Sequence, residues 1–208
     1  MSYFGYVFIV DDDAVVLDSL RMLLEAAGYA VATFHGAEDF LEICTAETHG
    51  CIILDVSMPD MDGPALQEEL KRRGLQLPII FLSGHGTIPL TVRTLKAGAM
   101  DFLTKPVKGA VLLDRVREAM EQCSILQKQA QASQSIATRL AMLTERENEV
   151  LKLAVAGHTS KEIAQRLGIS YRTVEIHRAH VMQKTGASNM LELARITTNH
   201  ESSILNKF

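Results

Sequence analysis

The sequence predicts an α/β domain with a doubly wound parallel sheet, followed by a smaller all-α domain. Apolar runs and helical patterns alternate five times from Tyr6 onward, which is typical of a parallel sheet with helices on both faces. From residue 141 the patterns are helical only. Residues 1–124 carry 18 Asp/Glu against 10 Lys/Arg, and residues 125–208 carry 7 against 11. An acidic half followed by a basic half indicates different partners, with nucleic acid as a candidate for the second.

The first half reads as five β/α units. The run Cys51–Asp55 is apolar and β-branched and lies between Gly50 and a Pro-containing turn, so we expect a strand buried on both faces. The predicted units are strand 6–10 with helix 14–27, strand 30–34 with helix 37–45, strand 51–55 with helix 64–73, strand 78–82 with helix 89–97, and strand 101–103 with a helix from 108.

The second half reads as four helices behind a helical linker. An apolar stripe from Leu112 to Ala130 predicts a long helix from residue 108 to about 131; the alternative is a helix that covers the sheet to about 122 and then frays. The predicted helices are 144–156, opened by a capping box of Thr144 and Glu147; a short helix capped by Ser160 and ending at Leu167; 171–185 after a Gly-bearing turn; and 189–197.

Polar side chains follow four predicted strands at their carboxyl ends. Asp11 and Asp12 come after the first strand, Asp55 ends the third, Ser83 follows the fourth and Lys105 follows the fifth. Because these ends meet at one sheet edge, we expect the groups to converge there. Three carboxylates would repel one another unless a cation lies among them, and oxygen ligands suit Mg²⁺. Since Lys105 could pair with a phosphoryl oxygen, the edge predicts phosphoryl transfer to Asp55.

Neighbouring residues have simpler interpretations. Asp13 is expected to occupy the first turn of a helix, where carboxylates are favourable. Asp60 and Asp62 precede a Gly-Pro helix start, so turn and cap roles are favoured over metal binding. Taken alone, Phe102 is more typical of a core residue, and His85 of a solvated loop.

Residues 5–121 resemble the receiver domain of bacterial two-component response regulators. The motifs that carry this resemblance stand in order along the chain: Val10-Asp11-Asp12-Asp13, residues 54–63, Ser83-Gly84-His85-Gly86 and residues 96–106. So many motifs in one order are highly specific. The resemblance implies a flavodoxin-like (β/α)5 fold.

The same resemblance implies a role for each site residue. Asp55 is expected to be phosphorylated by a sensor histidine kinase, and Lys105 to contact the phosphoryl group. Ser83 and Phe102 are expected to switch together, and the bond before Pro106 to be cis. The implied site for Mg²⁺, or Mn²⁺, consists of Asp11, Asp12, Asp55 and the backbone carbonyl of Ser57.

The third helix of the second half has two distinct faces. Val174, His177 and Val181 recur at spacings of three and four, so we expect this side to pack inward. The opposite side combines apolar, acidic and basic groups that suit a DNA major groove: apolar atoms meet thymine methyls, a carboxylate accepts from cytosine N4, and arginines hold phosphates. This opposite side consists of Arg172, Glu175, Ile176, Ala179 and Gln183.

Residues 141–200 resemble the LuxR-type DNA-binding domain, and residues 173–184 are close to the FixJ-like subgroup. Many relatives carry Lys in place of Glu175, so their DNA preference does not transfer. His177 and His180 are not expected to bind metal. The implied partners are promoter DNA, RNA polymerase and a second copy of the chain after phosphorylation. The candidate DNA contacts are Lys161, Arg172, Thr173, Glu175, Ile176, Arg178, Ala179 and Lys184.

These resemblances divide the chain into a receiver domain (1–121), a helical linker (122–140) and a LuxR-type domain (141–208). Cys44, Cys51 and Cys123 lack metal-ligand spacing, so free thiols in a reducing compartment are expected. With no signal peptide and no apolar run of membrane length, we expect a cytoplasmic protein that binds no membrane.

Two other functions compete with that of a phosphorylation-controlled transcription factor. Asp11 to Val15 fits the Asp-x-Asp-x-Val start of haloacid-dehalogenase-like phosphatases, but the later acidic pair of that family is missing and Asp55 is left without a role. A signalling module that binds only proteins would require that the second half never touch DNA. We therefore expect a phosphoryl acceptor with Mg-dependent self-phosphorylation and self-dephosphorylation, and not a conventional turnover enzyme.

Overall fold

The first half of the chain alternates strands and helices, as predicted. The computed structural model describes residues 5–84, 86–189 and 192–194. The elements of this half are β1 (Tyr6–Val10), α1 (Ala14–Ala26), β2 (Ala30–Phe34), α2 (Ala37–Ile43), β3 (Gly50–Asp55), α3 (Gly63–Arg72), β4 (Ile79–Ser83), α4 (Ile88–Lys96), β5 (Asp101–Thr104) and α5 (Gly109–Ala141).

The five strands form one parallel sheet in the order β2-β1-β3-β4-β5. All six residues of the central strand β3 are buried, because aliphatic side chains on both of its faces are covered. On one face Phe40 and Leu66 belong to the core, and on the other face Leu24 and Leu112 do. The doubly wound α/β architecture is therefore confirmed.

Helix α5 extends well past residue 131, the predicted end of the long helix. All of its buried residues lie between Leu112 and Cys123, and Ala130 is exposed. The stripe therefore covers the sheet as far as Cys123, as the alternative interpretation holds, but the helix continues. Residues 127–135 are Gln, Lys, Ala and Ser, without Gly or Pro, and such a sequence sustains a helix without burial.

The described part of the second half is helical. Contacts divide the chain into two compact units, Met1–Lys128 and Gln129–Phe208. In the second unit, Leu151 and Val181 belong to one small core, and Val150, Ile163 and Val174 to another. The helices are α6 (Glu145–Val155), α7 (Ser160–Leu167) and α8 (Tyr171–Thr185).

Both α6 and α7 open with a capping box. The predicted box of Thr144 and Glu147 is present. The predicted cap of α7 was wrong: Thr159, not Ser160, is the N-cap residue, and Glu162 completes its box. The reason is spacing, because a Glu three residues after Thr159 can accept from the cap N–H, whereas Ser160 is already the first helical residue.

The predicted fourth helix lies largely outside the described residues. Residues 192–194 are helical, and the Asn189 side chain accepts from the Glu192 N–H at 2.9 Å. Residues 190, 191 and 195–197 of the predicted span lie outside the described part of the chain.

The three cysteines, Cys44, Cys51 and Cys123, are free thiols, as predicted, and all three are buried. Burial raises the pKa of all three, that of Cys51 to about 12, so they remain protonated at neutral pH. Among helices in the described ranges, none is long and apolar enough to cross a lipid bilayer.

Candidate functional site

The carboxyl ends of four strands form the first part of the site. Asp11 follows β1, Asp55 ends β3, Ser83 ends β4 and Lys105 follows β5. Ser83 pairs in register with Thr104, and the Lys105 N–H donates to the Ser83 carbonyl at 2.7 Å. The parallel register therefore carries all four residues to one edge. The peptide bond between Lys105 and Pro106 is cis, as the resemblance implies.

Lys105 bridges two buried carboxylates at this edge. Its ammonium lies 2.5 Å from Asp11 Oδ2 and 2.6 Å from Asp55 Oδ1. The side chains of Asp11 and Asp55 are only 2% and 7% exposed, and that of Lys105 is 24% exposed. Two carboxylates share one ammonium, so the trio carries a net charge of −1 when all three groups are ionised.

Burial and pairing act in opposite directions on these groups. Burial raises the pKa of Asp11, and its hydrogen bonds with Lys105 and Asp13 only partly offset that effect. For Lys105, burial lowers the pKa, but the hydrogen bonds to Asp11 and Asp55 together outweigh it and hold the pKa above the usual value. The ammonium is therefore charged at neutral pH.

The remaining carboxylate oxygens have backbone partners. Asp55 Oδ2 accepts from the Ser57 N–H at 2.6 Å, and Asp11 Oδ1 accepts from the Asp13 N–H at 3.0 Å. Asp12 is exposed and lies outside this arrangement. In the described ranges, no group of three His, Cys, Asp or Glu residues is placed to hold a metal ion. Of the three carboxylates predicted to converge, Asp11 and Asp55 do so and Asp12 does not.

The donor set nevertheless fits Mg²⁺. The edge supplies only oxygen ligands, and its buried carboxylates outnumber its ammonium groups. Mg²⁺ usually takes one or two carboxylates from a protein and completes its shell with water and phosphate oxygens. Asp11 and Asp55 supply two such carboxylates, so Mg²⁺ binding at this edge does not require a third buried carboxylate.

The neighbouring aspartates have the local roles that the sequence favours. Asp13 is the N-cap of α1 and accepts from the Val15 N–H at 2.8 Å. Asp62 is the N-cap of α3 and accepts from the Ala65 N–H at 2.7 Å. Asp60 lies in a turn with φ of 61°, a conformation that Asp tolerates better than most residues.

The two predicted switch residues occupy different environments. Ser83 is buried, and Phe102 is half-buried. The Phe102 ring stacks on Phe81 with centroids 6.1 Å apart. A Cβ at Gly86 would lie 2.7 Å from Phe102 Cε1, so the loop after β4 contacts this ring directly. His85 lies outside the described residues.

Helix α8 has the two faces that its sequence predicts. Val174 and Val181 are buried. The residues expected on the opposite face, namely Arg172, Glu175, Ile176, Ala179 and Gln183, are all exposed. Ile176 is 48% exposed, so its apolar side chain is accessible on this face.

The other candidate DNA contacts differ in their exposure and in their hydrogen-bond partners within the protein. Lys161 is exposed and Thr173 is half-buried. The Arg178 guanidinium donates to Ser160 Oγ at 2.8 Å. Lys184 forms an ion pair with the buried Glu147, with Nζ 2.7 Å from Oε2. Arg178 and Lys184 are therefore engaged within the protein.

Two family models match the chain. Residues 7–117 match the response regulator receiver domain, and residues 141–197 match the bacterial regulatory proteins of the luxR family. The chain belongs to the LuxR family of response regulators. It is a two-component transcription regulator, with a receiver half that implies a histidine kinase as partner and a helix-turn-helix half that implies DNA. Receiver domains generally bind Mg²⁺ at their acidic pocket.

Relatives of this response regulator match it over nearly its whole length. It is 39% identical to the transcriptional regulatory protein FixJ of Bradyrhizobium diazoefficiens, over 94% of this chain and 96% of that protein. It is 44% identical to the C4-dicarboxylate transport transcriptional regulatory protein DctR of Rhodobacter capsulatus, over 92% of this chain and 98% of that protein.

Solved structures of response regulators resemble this one. StyR superimposes with a TM-score of 0.82 at 39% identity and covers 94% of this chain and 98% of its own. Full-length FixJ from B. japonicum gives a TM-score of 0.58 at 37% identity and covers 97% and 99%.

Sequence reasoning missed one residue of the response-regulator site. Gly63, the first residue of α3, packs so closely on β3 that a Cβ there would lie 2.3 Å from the Asp55 carbonyl oxygen and 2.9 Å from Phe81 Cε1. Gly63 also donates its N–H to the Val56 carbonyl at 3.0 Å. Its position after Asp62 at a helix start indicated a turn, but the contact with β3 depends on the packed sheet.

Proposed function

We propose that Asp55 accepts a phosphoryl group from a sensor histidine kinase and that the phosphorylated protein regulates transcription through α8. The observation that carries this proposal is the Lys105 bridge between Asp11 and Asp55 in a chain that also presents an exposed, groove-compatible helix face. The bridge places a charged donor beside the nucleophile, and α8 offers a surface through which a signal can reach DNA.

The proposed transfer is a direct displacement at phosphorus. An Asp55 oxygen forms the new P–O bond while the P–N bond to the kinase histidine breaks, and the released imidazole takes up a proton. Asp55 Oδ1 is held by Lys105 and Oδ2 by the Ser57 N–H, so the carboxylate is oriented before the donor arrives. As a phosphoryl oxygen enters, the Lys105 ammonium pairs with it.

We propose that Asp11, Asp12, Asp55 and the Ser57 backbone carbonyl hold Mg²⁺ or Mn²⁺ at this edge. When bound, the ion neutralises charge that develops on the phosphoryl oxygens. Asp12 is exposed and free to turn toward a cation, and the unneutralised carboxylate charge of the Asp11–Asp55–Lys105 trio attracts one. The same site is expected to support slow self-dephosphorylation, without the multiple turnover of a conventional enzyme.

The proposed response to phosphate begins at Ser83 and Phe102. If Ser83 moves toward the phosphoryl group, Phe102 can leave its position against Gly86 and reshape the surface formed by α4 and β5. That surface already carries exposed apolar side chains, with Ile88 82%, Val92 44% and Leu95 40% exposed. We propose that a second copy of the chain covers it after phosphorylation.

The proposed DNA contacts lie on the exposed face of α8 and beside it. Ile176 and Ala179 suit thymine methyls, and Glu175 can accept from cytosine N4. Basic and hydroxyl side chains are assigned to phosphates. The contact set is Lys161, Arg172, Thr173, Glu175, Ile176, Arg178 and Ala179. Arg178 stays in it because its partner is the neutral Ser160 hydroxyl, whereas Lys184 is left out because its partner is the Glu147 carboxylate. At a promoter in the cytoplasm, RNA polymerase is the expected further partner.

Incubation with a small phosphodonor and Mg²⁺ tests this function. We expect one stable acyl phosphate per chain, and none in Asp55→Asn, whose amide keeps the shape but cannot form the mixed anhydride. Asp18→Asn, at an exposed position on α1, is the control and should be labelled normally. Label that persists in Asp55→Asn would place the acceptor elsewhere, and rapid turnover of phosphate esters would indicate a phosphatase.

A further inference from the structure

Lys184 in the last turn of α8 faces the inside of the second unit. It lies three residues after the buried Val181 and ten after the buried Val174, spacings that place it on the inward side of the helix. Its ammonium donates to Glu147 Oε2 at 2.7 Å and to the Met142 carbonyl at 3.3 Å. Two acceptors therefore hold this lysine against the segment that opens α6.

Glu147 connects α6 to two successive turns of α8. Its side chain is only 4% exposed. Oε2 accepts from the Thr144 N–H at 2.8 Å as well as from Lys184, and Oε1 lies 3.5 Å from His180 Nδ1. The hydrogen bond from Lys184, followed by that from the Thr144 backbone, lowers the pKa of Glu147 to about 2, so the carboxylate is ionised at neutral pH.

We propose that Lys184 is a positioning residue, whose ion pair with Glu147 sets how α8 is seated on α6 and thereby how its exposed face meets DNA. The proposal rests on the proposed DNA-binding function and assigns no phosphate contact to Lys184. To reach a phosphate, the ammonium would have to leave a buried carboxylate without a counter-charge, which is strongly unfavourable. The pair instead fixes the end of α8, which carries Ile176 and Ala179 about one to two turns earlier.

Salt dependence of DNA binding separates positioning from phosphate contact. A lost phosphate contact lowers the slope of log Kobs against log[salt] by about 1, whereas a lost positioning residue weakens binding at every salt concentration with the slope unchanged. Electrostatics alone would make Glu147→Gln bind DNA more tightly, because one negative charge is removed. Positioning requires the opposite, that Glu147→Gln weaken binding.

The test uses the full-length protein with a phosphoryl mimic and a DNA fragment selected by the wild type from a random pool. We expect Lys184→Met and Glu147→Gln each to weaken DNA binding about tenfold while the salt slope stays unchanged. Because both substitutions break the same ion pair, the double variant should bind DNA as tightly as the single variant with the lower affinity. Lys152→Met, which removes an exposed lysine from α6, should bind like the wild type. A slope lower by about 1 in Lys184→Met, or tighter binding by Glu147→Gln, would overturn the proposal.

Two further measurements keep the proposal testable if Lys184→Met folds poorly. Lys184→Arg keeps the charge but not the shape of the ammonium, so it should weaken binding severalfold with unchanged slope, whereas a phosphate contact would tolerate it. Without DNA, amide hydrogen exchange in α8 should be faster in Lys184→Arg than in wild type and unchanged in Lys152→Met. Equal exchange would overturn the proposal, while failure of the wild type to bind any DNA would instead reject the proposed function.

Discussion

Lys105 has a different partner at each stage of the proposed cycle. In the structure its ammonium holds Asp11 and Asp55 together, although both carboxylates are buried and carry like charges. After phosphorylation, one carboxylate oxygen of Asp55 is bonded to phosphorus, and the attached phosphoryl group carries a charge of about −1.5 to −2. A single side chain can therefore report the change at Asp55 without taking part in bond formation.

Removal of Lys105 should separate phosphorylation from signalling. We expect Lys105→Ala to accept phosphate from a small donor but to lose most promoter activation, because no ammonium remains to pair with the phosphoryl oxygens. Acyl-phosphate labelling and a reporter gene measure the two effects. The exposed Lys108, replaced by Ala, is the control. Normal activation by Lys105→Ala would contradict this role.

Glu175 should determine base preference at one position of the DNA site. Its carboxylate is exposed on the side of α8 that we propose faces DNA, where it would repel phosphates and be favourable only opposite an amino group such as cytosine N4. We expect Glu175→Gln to bind random DNA more tightly and to lose about 1–3 kcal/mol of discrimination at one base pair. Binding to single-base variants of a selected site measures this.

Glu145→Gln provides the matched control for that measurement. It removes one exposed carboxylate from α6 without altering the α8 face, so base preference should stay as in the wild type. Unchanged preference in Glu175→Gln at all positions would assign base readout to other residues of the helix.

At the scale of elements, the start of α3 is packed against the end of β3 through Gly63. The 2.3 Å approach of a Cβ to the Asp55 carbonyl oxygen leaves no room for a side chain, and the obstacle is backbone that cannot rotate away. The helix therefore constrains the strand end that carries Asp55, the proposed phosphoryl acceptor.

We expect Gly63→Ala to destabilise the receiver unit by about 1–3 kcal/mol, the usual cost of overpacking, and to slow phosphorylation of Asp55. Urea denaturation and phosphodonor labelling measure the two effects. The control is Gly36→Ala, where a Cβ would meet nothing within 4 Å and φ is an extended −164°, so the only expected cost is the poorer N-cap preference of Ala at the start of α2. Equal stability of the two variants would show that β3 can move away from α3.

The ion pair between α6 and α8 predicts an acid limit for the helical unit. Because the pKa of Glu147 is about 2 when folded and about 4.5 when unfolded, its contribution is fully present above pH 4.5 and is lost as the pH falls toward 2. We expect wild type to exceed Glu147→Gln in unfolding free energy by about 2 kcal/mol at pH 7 and by almost nothing at pH 2. Chemical denaturation across this range measures the difference, and a constant difference would contradict the linkage.

At the scale of the whole molecule, a phosphate at Asp55 must act on DNA binding through an element with two states. The candidates are the α4–β5 surface and the continuous helix α5. Pairing of two chains would bring two recognition helices to half-sites about one DNA turn apart, and such linkage can raise avidity roughly 100-fold without new base contacts.

Analytical ultracentrifugation tests this coupling. We expect the unphosphorylated chain to sediment as a monomer, and the chain with a phosphoryl mimic as a dimer that binds DNA more tightly. Ile88→Glu, which places a charge on the exposed apolar surface of α4, should stay monomeric while still accepting phosphate. An unchanged mass with tighter DNA binding would reject dimerisation and favour relief of inhibition of the DNA-binding half by its own receiver.

Local patterns in the chain were enough to predict the sheet, the meeting of Asp11, Asp55, Ser83 and Lys105 at one edge, and the two faces of α8, although they also placed the exposed Asp12 in that group. The elements follow from the local periodicity of apolar residues, and the convergence follows because the carboxyl ends of parallel strands lie at one edge of the sheet. Neither inference needs knowledge of contacts between distant residues. Which groups meet is seen only in the folded protein: Lys105 pairs with two carboxylates, Lys184 with Glu147 and Arg178 with Ser160, and Gly63 packs against the backbone of Asp55. The partners in these contacts are separated along the chain, and side-chain pairing across packed elements depends on distances that no sequence pattern encodes.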